Sequence, residues 1–238
     1  MTVRPPFEEL DAQTTPMGEI NLRRRIEPSL QVDVYEVKLG DEFLMSSLFT
    51  VAEIELARLG LAEVDGDHLD VVVGGLGLGY TAVAALEDDR VGSLVVVEAL
   101  PEVIGWHERD LLPDAAGLAG GERTRLVQGD FFAMAAGEDG FDPQAPGRRF
   151  DAILLDVDHS PRHLLHPRHA HFYSADGLRR LSRFLAPDGV FALWSDDPPD
   201  DDFLAVLREV FEHARAEVVS FRNFITGGES ANTIYVAR

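Results

Sequence analysis

The rhythm of apolar positions changes part-way along the chain. In "GEINLRRRIEPSLQVDVYEVKLGDEFLMS" (18–46), "VDVYEV" alternates apolar and polar side chains and "LGDE" has the composition of a tight reversal, so short strands joined by turns are predicted. "TVAEIELARLGLA" then takes up a helical spacing, and Thr50 and Glu53 stand at capping-box separation, which predicts a helix starting there. Beyond it the strands are continuous apolar runs: "LDVVVGG", "SLVVVEA", "TRLVQGD", "RFDAILLDVD" and "GVFALWS". A run that is apolar at successive positions fits a strand buried on both faces. Helices are predicted between them: "PEVIGWHERDLL" with Pro101 in its first turn, "SADGLRRLSRFL" capped by Ser174 and closed by the turn "APDG", and the amphipathic "DDFLAVLREVFEHA". Alternating strands and helices imply a parallel, doubly wound α/β sheet. Only "ITGGES" separates "AEVVSF" from "NTIYVAR", so the chain should end in an antiparallel hairpin at the sheet edge. "GEDGFDPQAPGRR" (137–149) reads as a surface loop. Two regions are expected: a small β-strand region at 1–48 and a ligand-binding region at 49–238.

Composition narrows the function classes. The chain has 238 residues, 45% of them hydrophobic, which is enough for a substantial core. No run of about 18 apolar residues suggests a membrane span, and "MTVRPPFEEL" lacks the apolar stretch of a signal peptide. The absence of cysteine excludes disulfides and thiolate metal sites and suits a cytoplasmic protein. A formal charge of −21, from 21 basic and 42 acidic side chains, repels nucleic acid and anionic membranes. The same field favours cationic ligands such as amines and also keeps a protein soluble. "SDDPPDDD" (195–202) reads as a solvated loop leading into a helix.

In a doubly wound sheet, ligands bind outside the carboxyl ends of the strands. The first parallel strand ends in "GGLGLGYTA", with Gly74, Gly75, Gly77 and Gly79. Glycines there allow a sharp turn and let a ligand approach the backbone. Taken alone, the loop fits a dinucleotide site, since "GLGYTA" matches G-x-G-x-x-A, or a simple tight turn. Glu98 ends the second strand, where a carboxylate can accept hydrogen bonds from the ribose hydroxyls of NAD or of a nucleoside such as S-adenosylmethionine (SAM). Asp130, in "QGDFF", has two readings: an acceptor for an adenine amine beside two apolar rings, or a helix N-cap. The terminal hairpin favours a SAM-type nucleoside over NAD.

The segments "VVVGGLGLGYTA", "LVVVEALPEVIGWHERDLLP", "RLVQGDFFAMA" and "FDAILLDVD" together resemble the spermidine synthase-like branch of the class I SAM-dependent methyltransferase superfamily. The upstream "VYEVKLGDEFLMSS" resembles the small strand region that precedes the catalytic domain in spermidine synthases. The resemblance spans residues 18–238 and implies a Rossmann-like fold. It implies that Gly75, Gly77 and Gly79 cradle the nucleoside, that Glu98 holds its ribose and that Asp130 lies near its adenine. It further implies that Asp156, ending the fourth strand, is the catalytic carboxylate that orients and deprotonates an attacking amine. Two departures stand out. Spermidine synthases carry an aspartate in the glycine loop where this chain has Gly77, and a Tyr-His-Glu run where "TVAEIELA" keeps only Glu53. Both point to intact SAM and methyl transfer, narrowly, over aminopropyl transfer from decarboxylated SAM. A catalytically silent nucleoside-binding or scaffold domain is the non-enzyme alternative.

The stretch "DAILLDVDHSPRHLLHPRHAHFY" holds five of the chain's eight histidines. It follows Asp156, so residues 157–172 should form a loop over the pocket. Pro161 and Pro167 break any helix that could present His159 and His163 together, so no metal is expected. His159 is the histidine best placed to meet the acceptor. Strand alternation would put Asp158 on the same side as Asp156, where it would help to bind a cation. The expected partner is a small cationic amine, with the N-terminal strands available for a homodimer contact.

Overall fold

The valine-rich runs form the centre of the larger of two sheets. The structure, a computed structural model, describes residues 5–238. The smaller sheet is antiparallel and follows chain order: β1 (Phe7–Thr15), β2 (Gly18–Glu27), β3 (Val32–Leu39) and β4 (Glu42–Ser46). The reversal predicted at "LGDE" joins β3 to β4. β1 has no counterpart in the sequence reading, because "FEELDAQTT" is charged and mostly exposed. Pairing with β2 forms it, through a register shift between Glu9 and Asp11. Ile20 and Leu22 of β2 and Val37 of β3 are buried in the same hydrophobic core as Leu56 and Leu154. Asp11 adds a polar tie, accepting from the Trp106 indole N–H at 2.7 Å and from Arg109 at 2.6 Å.

The larger sheet contains β5 (Leu69–Gly74), β6 (Val91–Glu98), β7 (Thr124–Gln128), β8 (Phe150–Leu155), β9 (Leu185–Ser195), β10 (Ala214–Asn223) and β11 (Gly228–Ala237). Its order is β10-β11-β9-β8-β5-β6-β7. β5 to β9 run parallel, β11 is antiparallel to β9, and β10 forms the outer arm of the predicted hairpin. The helices are α1 (Val51–Leu61), α2 (Tyr80–Leu86), α3 (Pro101–Glu108), α4 (Phe131–Ala136), α5 (Ala175–Ser182) and α6 (Asp201–Arg208). Val71 and Val73 of β5 pack into one core and Val72 into the other, which is why the run carries no polar alternation. The chain leaves β5 toward β6 on one side and later returns to place β8 on the other. That reversal opens a crevice at the ends of β5 and β8, the general position for ligands in this architecture.

Two local expectations change, and a third gains an anchor. α1 starts at Val51, but Thr50 makes no side-chain cap, and Glu53 turns inward instead of back to the helix start. "APDG" does not close a helix. It is an irregular opening of β9, with Asp188 at φ 63° and a register shift against β8. The 137–149 segment is pinned to the body. Phe141 is fully buried and stacks on Phe131 at 4.7 Å. Asp142 is 1% exposed and bonds Arg125 at 2.5 Å and Arg148 at 2.9 Å. Among the described residues, no helix is long and apolar enough to cross a membrane.

Candidate functional site

The site begins where β5 stops. The Asp156 amide donates to the Gly74 carbonyl at 2.8 Å, and the Gly75 amide donates to the Val97 carbonyl at 2.9 Å. Gly75 has φ 93°, and a Cβ there would collide with the Asp156 carbonyl oxygen. Only glycine lets the loop and the end of β8 lie in direct contact. Gly77, at φ 46°, faces Met45 of β4, whose sulfur would lie 2.6 Å from an added Cβ. The small sheet therefore reaches across the glycine loop. Gly79 precedes α2 and packs against His107.

His107 is a site residue that sequence reasoning missed. Its Nε2 lies 2.9 Å from the Gly77 carbonyl oxygen, which can only accept, so the ring proton is on Nε2. Burial pushes the His107 pKa down and keeps the ring neutral. The histidine holds the loop from below.

Glu98 is occupied by the backbone. One carboxylate oxygen accepts from the Leu76 amide at 3.0 Å and the other from the Leu100 amide at 2.9 Å. Burial raises its pKa, and these amides oppose the rise. Asp130 caps α4 through one oxygen: Oδ1 accepts from Phe132 N at 3.0 Å and Ala133 N at 3.1 Å. Of the two phenylalanine rings that follow it, Phe132 stacks on the His169 imidazole at a centroid distance of 3.9 Å.

Between the glycine loop, α1 and the ends of β8 and β9 lies a cavity of about 80 Å³, walled by Met45, Glu53, Gly77, Asp156, His159 and Trp194 among others. Drug-sized ligands occupy roughly 300–1,000 Å³, so this volume suits a small amine or one arm of a donor. A more open hollow of about 410 Å³, which includes Arg208, Arg215 and Arg238, lies by the opposite ends of the strands, away from the glycine loop.

Two carboxylates meet in the cavity. Thr81, from α2, donates to Asp156 Oδ2 at 2.8 Å. Burial raises the Asp156 pKa to about 6, against the pull of that hydrogen bond. Glu53 goes higher, to about 8, through burial first, then the charge of Asp156, with a smaller contribution from Asp196. At neutral pH the pair retains a proton, chiefly on Glu53. A bound ammonium would satisfy both acids and displace that proton.

This arrangement has a sign that can be measured. Both folded pKa values lie above the unfolded ones, so the folded state binds more protons between about pH 4 and pH 8. The ligand-free protein should therefore lose stability as pH rises through that window. Glu53→Gln should flatten the loss in a series of thermal melts. A wild-type melting temperature that climbs from pH 6 to pH 8 would contradict the shared-proton description.

The histidine loop spreads its side chains to separate partners. His159 Nε2 lies 3.0 Å from Glu42 Oε1, bridging the cavity mouth to β4. His163 pairs with Asp197 at 2.7 Å, and His166 accepts from the Arg168 amide at 3.1 Å. Asp158 does not join Asp156. β8 ends at Leu155, so strand alternation no longer applies, and Asp158 turns into the protein at 1% exposure. There it accepts from the Leu165 amide, His169 Nδ1 and the Tyr173 hydroxyl, each at 2.8 Å. Its place is under the loop, outside the cavity wall.

No family model and no curated protein matches this sequence. Solved structures do. A spermidine synthase in complex with the transition-state analogue AdoDATO superposes with a TM-score of 0.71 at 16% identity, over 96% of this chain and 71% of that one. A spermidine synthase from Thermotoga maritima gives 0.71 at 17% identity, over 96% and 72%. The likeness establishes a spermidine synthase-like, Rossmann-like fold with its preceding antiparallel sheet.

Proposed function

We propose that the protein transfers an aminopropyl group from decarboxylated SAM to a small primary amine. The observation that carries the reading is the charge of the cavity. Glu53 and Asp156 face it, and among the described residues no lysine or arginine lines it. The methionine end of intact SAM would bring a third carboxylate against these two, offset only by its own α-ammonium. The decarboxylated donor lacks that group and ends in an ammonium. Electrostatics thus reverses the preference for methyl transfer drawn from Gly77, and the solved spermidine synthases lean the same way.

The chain's own groups support a direct displacement. Glu53 and Asp156 hold the acceptor as an ammonium, and Asp156 takes one proton to free the nitrogen lone pair. The nitrogen attacks the methylene carbon bonded to the sulfonium. The carbon–sulfur bond breaks, and its electron pair goes to sulfur. The products are a neutral thioether nucleoside and a secondary ammonium, and Asp156 passes its proton to solvent. The glycine loop and Glu98 keep the nucleoside in line.

Calorimetry with the two donors tests the reading. Decarboxylated SAM should bind roughly tenfold or more tightly than SAM, about 1.4 kcal/mol, as one added like charge in a partly buried site warrants. Tighter binding of intact SAM would restore methyl transfer.

A further inference from the structure

The two acids of the cavity are not equally supported. Thr81, buried in α2, holds one hydroxyl between two oxygens. Its Oγ1 lies 2.8 Å from Asp156 Oδ2 and 3.2 Å from the Glu53 main-chain carbonyl. A hydroxyl has a single hydrogen to donate. The shorter distance and the negative charge of the carboxylate both assign that hydrogen to Asp156. The Glu53 carboxyl receives no side-chain donor among the described residues, and its own backbone amide is the group that favours its charged form. The other polar groups nearby are engaged elsewhere. Tyr80 of α2 donates to Asp114 at 2.6 Å, and His159, after β8, lies 3.0 Å from Glu42 of β4. Asp196, just beyond β9, accepts from Asn232 at 2.7 Å. The end of β5 and the loop after it meet the Asp156 backbone with Gly74 and Gly75, which carry no charge.

We propose that Thr81 is a positioning residue that sorts the acid pair, fixing Asp156 as the member that ionises first and leaving Glu53 to keep the shared proton. Burial raises the pKa of both acids, and a side-chain donor pulls back on Asp156 alone. Where environments push two such groups apart, one can serve as base while the other stays neutral. The hydroxyl supplies that difference from α2, an element that carries neither acid. The sorting belongs to the protein's own groups in the ligand-free site. Its bearing on the reaction rests on the proposed function: an arriving amine meets a base that is already charged at Asp156.

Carbon-13 NMR titration of the full-length protein tests the sorting without any substrate. Aspartate and glutamate carboxyl carbons are labelled in separate samples, and the two resonances are assigned by their loss in Asp156→Asn and Glu53→Gln. In the wild type Asp156 should ionise at lower pH than Glu53. In Thr81→Val, which keeps the shape and removes the hydroxyl, the Asp156 midpoint should rise by about 1–2 pH units, the worth of a hydrogen bond to a charged group. Thr81→Ala should shift it the same way, and Thr81→Ser should restore the wild-type midpoint. A merely structural threonine would lower the melting temperature and leave the midpoint in place. An Asp156 midpoint unchanged in Thr81→Val or Thr81→Ala would overturn the inference. So would a wild-type titration in which Glu53 ionises first, a result that needs no variant at position 81 to fold. The acidic limb of the turnover profile should move to higher pH in Thr81→Val by the same interval, with the donor Kd unchanged. Absence of amine transfer combined with the expected titrations would defeat the proposed function and leave the sorting intact.

Discussion

Asp156→Asn should keep donor affinity and lower turnover by about 10²–10⁴-fold, the range associated with losing a general base. The substitution preserves shape. Asparagine Oδ1 can still accept from Thr81, the bond that Asp156 makes at 2.8 Å. The backbone amide of residue 156 still donates to Gly74, so the glycine loop keeps its anchor. On the proposed mechanism, what disappears is the charge that pairs with the ammonium and the site that takes its proton. The loss should therefore fall on kcat, with the donor Kd nearly unchanged. A second signature follows from the pair. The charge of Asp156 helps to raise the Glu53 pKa to about 8, so in the Asn variant Glu53 should titrate at lower pH. A variant with full turnover and a lowered melting temperature would reduce Asp156 to a structural anchor.

The second large effect is expected at Asp158, two residues away and opposite in kind. Asp158→Ala removes the acceptor for three buried or part-buried donors, from Leu165, His169 and Tyr173. Breaking a buried charged hub by deleting one partner costs about 3–5 kcal/mol. The variant should show that loss in urea unfolding, together with faster proteolysis in the 159–171 loop. Once folded, its affinity for amines should be close to that of the wild type. An unchanged unfolding midpoint combined with weakened amine binding would put Asp158 back beside Asp156.

The contrast between these two aspartates shows where sequence reading succeeds. The continuous valine runs locate the buried strands, because two-sided burial leaves no room for polar residues. Strand order and the glycine loop then place Asp156 at the crevice. Alternation carried two residues further sends Asp158 to the same side, and that step needs β8 to continue, whereas it stops at Leu155. Glu53 was visible as an acid three residues after Thr50, and spacing alone cannot distinguish a cap from a side chain facing a cavity. Thr81, His107 and Trp194 carry no sequence signal. Their roles arise from partners or walls far away along the chain, such as the 75-residue separation between Thr81 and Asp156. β1 was hidden for the same reason: its neighbour, not its composition, makes it a strand.

The reach of the small sheet over the glycine loop separates two kinds of inheritance. Met45 and Glu42 belong to β4, yet they stand against Gly77 and His159, and the latter pair is 117 residues apart in sequence. The strand-end acids come from the large sheet and are tied to its core. Changes in β4 can therefore redress the wall above Gly77 without touching Glu98 or Asp156. Over generations, the choice of ligand arm can drift on one sheet while the proposed reacting carboxylate stays fixed on the other. Grafting a foreign β3–β4 hairpin onto this chain is the laboratory form of that drift.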